Sequence, residues 1–276
     1  MIEEGTLTSF DGKPFYTRHW YPEGTVRSHV VVLHGYAEHC VRYDAIAAHL
    51  NAAGFAVHSL DQRGHGRSPG KMGYINSFDE FHCDLDNFFK YIAPKLAGAV
   101  PLLLGHSMGG LILSSYQLKR QVKTKGIVLS SPFMQTPGNV SPVLLALAGV
   151  LGAVTPWLPV ATLDSKAIAR DTAVVAAYEN DPHVYHGKIL ARTGAQINQT
   201  VTATRAAIGG LKDPLLVFHG TADALAPPGG SQHIHDHCGA SDKTRKFFEG
   251  GCHELMNDTG REAVLDLVTQ WLLAHA

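Results

Sequence analysis

The segment Val100–Gly110 reads VPLLLGHSMGG and indicates the architecture of the chain. Its apolar run, Val100–Leu104, predicts a strand, and the spacing of Met108–Gln121 predicts a helix directly after it. Between them Gly105–Gly109 forms a G-x-S-x-G pattern, in which the serine lies on a strained strand-to-helix turn that exposes its hydroxyl. Bulky side chains at the flanking glycines would clash in so tight a bend. Ser107 is therefore the candidate nucleophile.

Strands and helices alternate on both sides of this segment. Asp11-Gly12 between two alternating runs predicts a hairpin, and the unbroken apolar run His29–Leu33 predicts a strand buried on both faces. The predicted strands are Thr6–Phe10, Phe15–Tyr21, His29–Leu33, Phe55–Leu60, Val100–Leu104, Gly126–Leu129, Pro214–Phe218 and Arg245–Phe248. The predicted helices are Tyr43–Ala53, Phe78–Ile92 with its end marked by Pro94, Met108–Gln121, Gly229–His237 and Glu262–Ala274. This alternation predicts an α/β fold with a mainly parallel sheet covered by helices on both faces.

Composition narrows the function classes. The 276 residues contain 23 Lys and Arg against 24 Asp and Glu, and this balance excludes a generally basic nucleic-acid binder. Four cysteines, none at C-x-x-C spacing, do not resemble a disulfide scaffold or a zinc knuckle, and they fit a reducing, cytosolic setting. The N-terminal residues lack the basic and apolar regions of a secretory signal, so we expect a cytoplasmic protein.

The region 133–209 interrupts the alternation, and we expect it to be a cap inserted between two parts of one domain, residues 1–132 and 210–276. It contains Val143–Val154, twelve residues drawn only from Val, Leu, Ala and Gly, which is too short to span a membrane. One interpretation is a buried helix. The other is a lid helix over a lipophilic pocket, with transient membrane or micelle contact and with Leu144 and Leu147 facing the substrate.

A serine hydroxyl needs a general base, and the base needs an acidic partner. In folds with this strand-to-helix turn the chain order is serine, acid, histidine. Asp223 follows the predicted strand Pro214–Phe218, and His253 lies in a Gly-rich loop after the predicted strand Arg245–Phe248. His219 is a rival base, but it lies at a strand end only four residues before Asp223, which favours a structural role.

An oxyanion in the transition state requires backbone N–H donors. One is expected from Met108, the residue after the nucleophile, and the other from Tyr36 in the loop after an early strand. Of the 17 histidines, His233 and His237 share a helix face, but two ligands do not make a metal site. We expect neither a metal nor a cofactor.

Four motifs make the sequence resemble the monoacylglycerol lipase and lysophospholipase branch of the α/β-hydrolase superfamily. They are His34-Gly35-Tyr36-Ala37-Glu38-His39 with Arg42-Tyr43, Asp61-Gln62-Arg63-Gly64-His65-Gly66-Arg67-Ser68, Gly105-His106-Ser107-Met108-Gly109-Gly110, and Asp181-Pro182 in the insertion. The resemblance extends over nearly the whole chain. It implies the α/β-hydrolase fold with an eight-stranded sheet, a cap with an apolar helix, and an acyl channel formed by that cap.

The resemblance also implies three substrate-binding residues at the glycerol end of the pocket: Glu38, Arg42 and Tyr178. A surface or structural ion pair is the alternative role for Glu38 and Arg42. Two positions depart from some animal members of the family. Met256 stands where they carry a glycerol-binding histidine, and Tyr185 stands where they carry a cysteine, which implies a narrower or more polar wall.

These observations favour a serine hydrolase that cleaves monoacylglycerol to glycerol and fatty acid through an acyl-serine intermediate. Lysophospholipids and simple carboxylic esters are the alternative substrates, and related peptidases are a more distant alternative. Epoxide and dehalogenation chemistry on this fold uses an aspartate nucleophile, and Ser107 argues against it. A binding protein on the same fold usually lacks one residue of the triad, whereas all three residues are present here.

Overall fold

The computed structural model describes residues 1–138 and 142–276 of the chain. Within these residues eight strands form one sheet and two short strands form another. The strands of the main sheet are β1 (Ile2–Thr8), β2 (Pro14–Trp20), β3 (Ser28–Leu33), β4 (Phe55–Leu60), β5 (Leu102–His106), β6 (Ile127–Ser130), β9 (Leu215–Gly220) and β10 (Lys243–Phe248). The short pair is β7 (Pro159–Ala161) and β8 (Ile189–Leu190), paired antiparallel.

The main sheet has the order β1-β2-β4-β3-β5-β6-β9-β10. Its strands are parallel from β4 to β10, and only β1 and β2 run antiparallel to their neighbours. The mainly parallel α/β sheet predicted from the sequence is therefore confirmed. Parallel strands all end at one edge, so the loops after β3, β5, β9 and β10 meet there, and these loops carry the predicted site residues.

Helices cover both faces of the sheet. They are α1 (Asp44–Ala52), α2 (Phe78–Leu96), α3 (Met108–Arg120), α4 (Pro142–Val154), α5 (Thr172–Glu179), α6 (Ala191–Ala207), α7 (Gly229–His237) and α8 (Arg261–His275). Alternate residues of the central strands face opposite cores. Leu103 of β5 packs in a core with α2 and α3, whereas Leu102 and Leu104 pack in a second core with α1 and α8. Because both faces of these strands contact a core, their sequences do not alternate between apolar and polar residues.

One predicted boundary is wrong. Pro94 does not end the second helix, which continues to Leu96 and stops at Ala97 in the left-handed conformation. Pro94 has no backbone N–H, so the carbonyl of Lys90 lacks its usual helical hydrogen bond. Pro94 and Lys90 are both exposed, so water can donate to that carbonyl instead. Burial of Leu96 then anchors the last turn against the core.

Helices α4, α5 and α6 and the β7–β8 pair all lie in the segment between β6 and β9. The helix predicted over Val143–Val154 is present as α4, which packs closely on α6: a Cβ atom added to Gly152 would lie 2.7 Å from the Cβ of Ala195. None of the helices in the described ranges combines the length and the apolar character that crossing a lipid bilayer requires.

Three buried histidines form a chain across β2, β4 and β3. The Nδ1 atoms of His19 and His58 are 3.0 Å apart, and His29 Nδ1 lies 2.9 Å from His58 Nε2. Burial is the main cause that lowers the pKa of His19 to about 4 and the pKa of His58 to about 2. These rings are therefore neutral in the folded protein near neutral pH.

Candidate active site

Ser107 lies at the sharp turn between β5 and α3. Its backbone has φ 51° and ψ −117°, a region that residues other than glycine rarely adopt. Both flanking glycines are required by close contacts. A Cβ atom on Gly109 would lie 2.2 Å from the carbonyl oxygen of Leu33, and one on Gly105 would lie 2.7 Å from that of Gly109. The strained turn expected from the G-x-S-x-G pattern is thus present, and Ser107, although only 7% exposed, lines a cavity.

Asp223 and His253 come together at the ends of β9 and β10. The Nδ1 atom of His253 donates to Oδ2 of Asp223 over 2.6 Å, and the carboxylate side chain is fully buried. Burial alone would lower the pKa of His253, but the charge and the hydrogen bond of Asp223 outweigh it, so this pKa is raised. Burial would likewise raise the pKa of Asp223, yet the neighbouring His253 and His219 hold it below its usual range.

His253 and Ser107 line the same cavity, so the structure brings together all three residues of the predicted triad. The two side chains form no hydrogen bond with each other in the described structure, as is common for catalytic groups in ligand-free sites. His219, the rival base, lies on the other side of Asp223. Its Nε2 faces Asp223 Oδ2 at 2.9 Å, and His219 does not line the cavity in the described structure.

Two backbone N–H groups are available beside Ser107. Those of Tyr36 and Met108 donate no hydrogen bond within the part of the chain that the structure describes, and both residues line the cavity. The loop after β3 lies directly against Ser107, since a Cβ atom on Gly35 would lie 3.2 Å from the Cβ of Ser107. The positions fit the predicted oxyanion hole, in which unpaired N–H groups meet a developing negative charge.

A buried ion network lies at one end of the cavity. Arg42 donates to Glu38 Oε2 at 2.8 Å and, through two nitrogens, to both carboxylate oxygens of Glu254 at 2.7 and 2.8 Å. Glu38 Oε1 also accepts hydrogen bonds from Gly35 N–H at 2.6 Å and from Tyr43 hydroxyl at 3.0 Å. Glu38 therefore fixes the loop that carries Tyr36.

The network carries more carboxylate than guanidinium charge. Burial raises the pKa of Glu38, and the charge of Glu254 adds to this effect although Arg42 opposes it. Burial would also raise the pKa of Glu254, but the charge of Arg42 and its hydrogen bonds outweigh burial and lower this pKa. Glu38, Glu254 and Tyr178 line the cavity, whereas Arg42 lies behind them with its guanidinium 4.8 Å from the centre of the Tyr178 ring.

The predicted substrate-binding residues are thus not equivalent. Arg42 is an ion-pair residue that does not line the cavity in the described structure, and Glu38 has partners on both oxygens. The Tyr178 hydroxyl has no partner in the described part of the chain and remains available to a ligand. Sequence reasoning missed Glu254, which is adjacent to His253 in the chain and pairs with a residue 212 positions away. Its position beside the predicted base was the only signal.

The cavity encloses about 510 Å³ and joins this polar end to an apolar chamber. Its apolar lining comes from α4 and α6, from the segment between them and from the loops after β6 and β9: Phe133, Ala148, Leu151, Leu163, Ile168, Ile197 and Leu225. An apolar chamber beside the candidate nucleophile suits an ester with a hydrocarbon chain.

Helix α4 presents two different faces. Ala148 and Leu151 line the cavity, whereas Leu147, Val150 and Val154 are 47%, 61% and 74% exposed. The expectation that Leu147 faces the substrate is wrong, because it lies on the outward side of the helix. The other expected position, Leu144, lies outside the side chains that the structure describes.

The two departures from the family pattern lie away from the cavity. Met256 is buried in the core with α1 and α8. Tyr185 is not a cavity wall, contrary to expectation: its hydroxyl donates to the Lys188 carbonyl and its N–H donates to the Ala37 carbonyl at 2.7 Å. It therefore attaches the segment between β6 and β9 to the loop after β3.

Comparison with known proteins agrees with this arrangement. Residues 24–260 match the family described as "Serine aminopeptidase, S33". A monoacylglycerol lipase of Mycolicibacterium smegmatis is 40% identical over 259 residues, 93% of this chain and 91% of that protein. A monoglyceride lipase of Rattus norvegicus is 30% identical over 96% of this chain and 89% of its own length. The crystal structure of a Paleococcus ferrophilus monoacylglycerol lipase superposes with a TM-score of 0.86 at 33% identity, covering 95% of this chain and 99% of that one.

Proposed function

The chain belongs to the serine aminopeptidase S33 family and to the monoacylglycerol lipase branch of the α/β-hydrolase superfamily, and from this premise we propose that it hydrolyses monoacylglycerols to glycerol and free fatty acid. The observation that carries the proposal is a single cavity with Ser107, His253 and a polar network at one end and an apolar chamber at the other. A one-chain glycerol ester has the same division into polar and apolar parts.

In the proposed reaction Ser107 Oγ attacks the ester carbonyl while His253 Nε2 takes its proton. Asp223 holds the imidazole through its Nδ1–H and stabilises the cation that forms. The N–H groups of Tyr36 and Met108 bind the oxyanion of the tetrahedral intermediate. His253 then protonates the departing glycerol oxygen, which leaves acyl-Ser107. Water, activated by the same histidine, releases the fatty acid and restores the serine.

At the polar end we propose that Tyr178 and Glu254 contact the glycerol hydroxyls, supported by Glu38 and Arg42. Two carboxylates share one guanidinium there, so the cavity offers acceptors for hydroxyl donors and no unpaired cation for a phosphate among the described lining residues. This charge balance favours a glycerol head group over the phosphodiester of a lysophospholipid.

The test is a hydrolysis profile of the wild type and Ser107→Ala on monoacylglycerols, lysophospholipids, triacylglycerols, p-nitrophenyl esters and aminoacyl p-nitroanilides. We expect the highest kcat/KM on monoacylglycerols and a loss of about 10⁴–10⁶ in rate for the variant, as for other triad knockouts. Preference for an aminoacyl anilide would replace the proposal with peptidase activity. Retention of more than a few per cent of activity by folded Ser107→Ala would exclude Ser107 as the nucleophile.

We also propose a cytoplasmic enzyme whose cap, residues 133–209, makes transient contact with a lipid surface. The outward face of α4 continues into Trp157 and Leu158, which are 53% and 45% exposed. Lys71 Nζ lies 3.7 Å from the centre of the Trp157 ring. Aliphatic side chains beside a tryptophan and a cation fit the boundary between acyl chains and head groups.

Vesicle sedimentation tests this contact. The wild type should bind vesicles of phosphatidylcholine with one third phosphatidylglycerol. The double variant that combines Val150→Ser and Val154→Ser should bind them more weakly, by about tenfold or more. Hydrolysis of a soluble p-nitrophenyl ester is the control, because these two side chains do not line the cavity. Equal sedimentation of both proteins would contradict the lipid contact.

A further inference from the structure

A second histidine holds the carboxylate that orients His253. His219 Nε2 lies 2.9 Å from Asp223 Oδ2, the same oxygen that accepts from His253 Nδ1 at 2.6 Å. His219 is fully buried at the end of β9 and does not line the cavity in the described structure. Asp223 is thus placed between two imidazoles, only one of which can reach the substrate.

The hydrogen bonds fix where the proton of His219 lies. Its Nε2 faces two acceptors, Asp223 Oδ2 and the carbonyl of Ala226 at 2.7 Å, so Nε2 must carry hydrogen. Its Nδ1 lies 2.7 Å from the hydroxyl of Ser231 in α7, which donates to it when the ring is neutral. A ring with partners at both nitrogens cannot flip without losing hydrogen bonds inside the protein.

The carboxylate is therefore held from every side. Its Oδ1 accepts the N–H groups of Leu225 and Ala226, each at 2.9 Å, and its Oδ2 accepts both histidines. On the basis of the proposed function, we propose that His219 is a positioning residue for the hydrolysis. Its Nε2–H keeps Asp223 Oδ2 directed at His253. The same hydrogen bond partly neutralises the negative charge of Oδ2, which weakens the attraction of that oxygen for the proton on His253.

Loss of this donor has a defined direction. Asp223 Oδ2 would present more charge to His253, so the protonated imidazole would be favoured and a higher pH would be needed to generate the base. The other titratable side chains that affect His253 are Glu254, Glu38 and the neighbouring His106, and the substitution leaves all three in place. The carboxylate would also be freer to rotate away, which lowers kcat without changing the contacts that bind substrate.

The experiment compares His219→Leu, which removes the donor, with His219→Gln, whose amide can donate from the position of Nε2. We expect kcat of His219→Leu to fall about 10–100-fold. Removal of a residue that orients a metal-ligating side chain in other proteins has an effect of this size. Its KM should stay within about twofold, and the acid limb of its kcat/KM profile should move to higher pH. His219→Gln should keep kcat within about threefold of the wild type. The acid limb of its kcat/KM profile should stay at the wild-type pH. Ser231→Ala, which leaves the Nε2–H in place, should behave like His219→Gln.

The downfield proton resonance of the His253–Asp223 hydrogen bond gives a readout without substrate. We expect it to shift or broaden in His219→Leu and to be retained in His219→Gln. Equal losses in both variants with an unmoved acid limb and resonance would overturn the inference in favour of simple packing. If His219→Leu does not fold, His219→Asn, too short to reach Asp223, takes its place with the same expectations. A wild type that shows this resonance but hydrolyses no ester would refute the proposed function and leave the positioning contact standing.

Discussion

We expect Glu254 to influence the preference between two lipid classes. Its carboxylate lines the cavity and shares Arg42 with Glu38. Glu254→Gln removes one negative charge while keeping the shape. At a separation of about 8 Å and an effective dielectric constant of about 20, that charge changes the interaction with an anionic head group by about 2 kcal/mol. We expect the ratio of kcat/KM for monoacylglycerol to that for a lysophosphatidic acid to fall about tenfold or more.

The matched control is Asp164→Asn, because Asp164 also lines the cavity but lies apart from the ion network and caps the turn at Lys166. Its substrate ratio should stay within about twofold of the wild type. An unchanged ratio in Glu254→Gln would show that the charge of the network does not select the head group.

We expect the pH dependence of activity to follow from His253, the proposed base. Only the neutral imidazole can act as base, and Asp223 raises its pKa above the ordinary value of 6.5 despite burial. The value of kcat/KM should therefore rise with pH through a midpoint above 6.5. Asp223→Asn removes the raising charge, so it should lower this midpoint and decrease the rate by about 10⁴. A profile that is flat from pH 5 to 8 would contradict the assignment of His253 as the base.

Residues were predictable where local sequence carries the signal. Ser107, Asp223 and His253 each follow a strand end in the order this fold requires, so pattern and position together were enough to select them as the candidate triad. Glu254 and the contact of His219 depend on side-chain geometry at the ends of separate elements, and no spacing rule connects Glu254 with Arg42. Such partners emerge only when the sheet brings the loops together.

At the scale of the element, α4 separates the acyl chamber from the outer surface. Leu151→Ser places a hydroxyl in the apolar chamber, and burying a leucine is worth about 1.5–3 kcal/mol. We expect kcat/KM for a long-chain monoacylglycerol to fall about tenfold or more, with little change for a short-chain ester that does not reach this wall. Thermal unfolding of the variant checks that the helix still forms.

Val150→Ser on the same helix is the control, because Val150 is exposed and does not line the cavity. It should leave both substrates unchanged in a vesicle-free assay. Equal losses for the short and the long substrate in Leu151→Ser would indicate that α4 serves only as a packed helix.

The existence of α4 was predictable from its apolar run, but its orientation was not. Twelve consecutive apolar or small residues carry no polar face, so periodicity could not distinguish Leu147 from Leu151. Contact with α6 at Gly152 decides the matter. The continuation of α2 past Pro94 could not be predicted either. How much a proline destabilises a helix depends on whether the carbonyl that loses its hydrogen bond is exposed to water, and the sequence does not show this.

For the whole molecule, buried histidines predict weakness toward acid. Burial is the main cause that lowers the pKa of His19, His65 and His82 to about 4, against 6.5 when exposed. Well above pH 6.5 these rings are neutral in both the folded and the unfolded state, so their contribution to stability is complete. As the pH falls the unfolded chain binds protons first, and by pH 5 each such ring lowers the free energy of unfolding by about 2 kcal/mol.

Urea unfolding between pH 7.5 and 5 measures this effect. The slope of unfolding free energy against pH should correspond to uptake of more than one proton on unfolding. His82→Gln, which keeps an amide near the Ser115 hydroxyl, should reduce that uptake by about one proton. Constant stability from pH 7.5 to 5 would mean that these rings are not buried as neutral groups.

The turn at Ser107 has a consequence for selection on this chain. Its φ of 51° and ψ of −117° suit glycine, and such a conformation costs another residue about 1–3 kcal/mol. Ser107→Gly should therefore abolish turnover and yet unfold at a higher temperature than both the wild type and Ser107→Ala. The greater freedom of glycine in the unfolded chain reduces this gain but does not cancel it. Stability and activity oppose each other at this one position. We therefore expect that a lineage with no need to hydrolyse the substrate would gain thermal stability by replacing Ser107, the proposed nucleophile, with glycine.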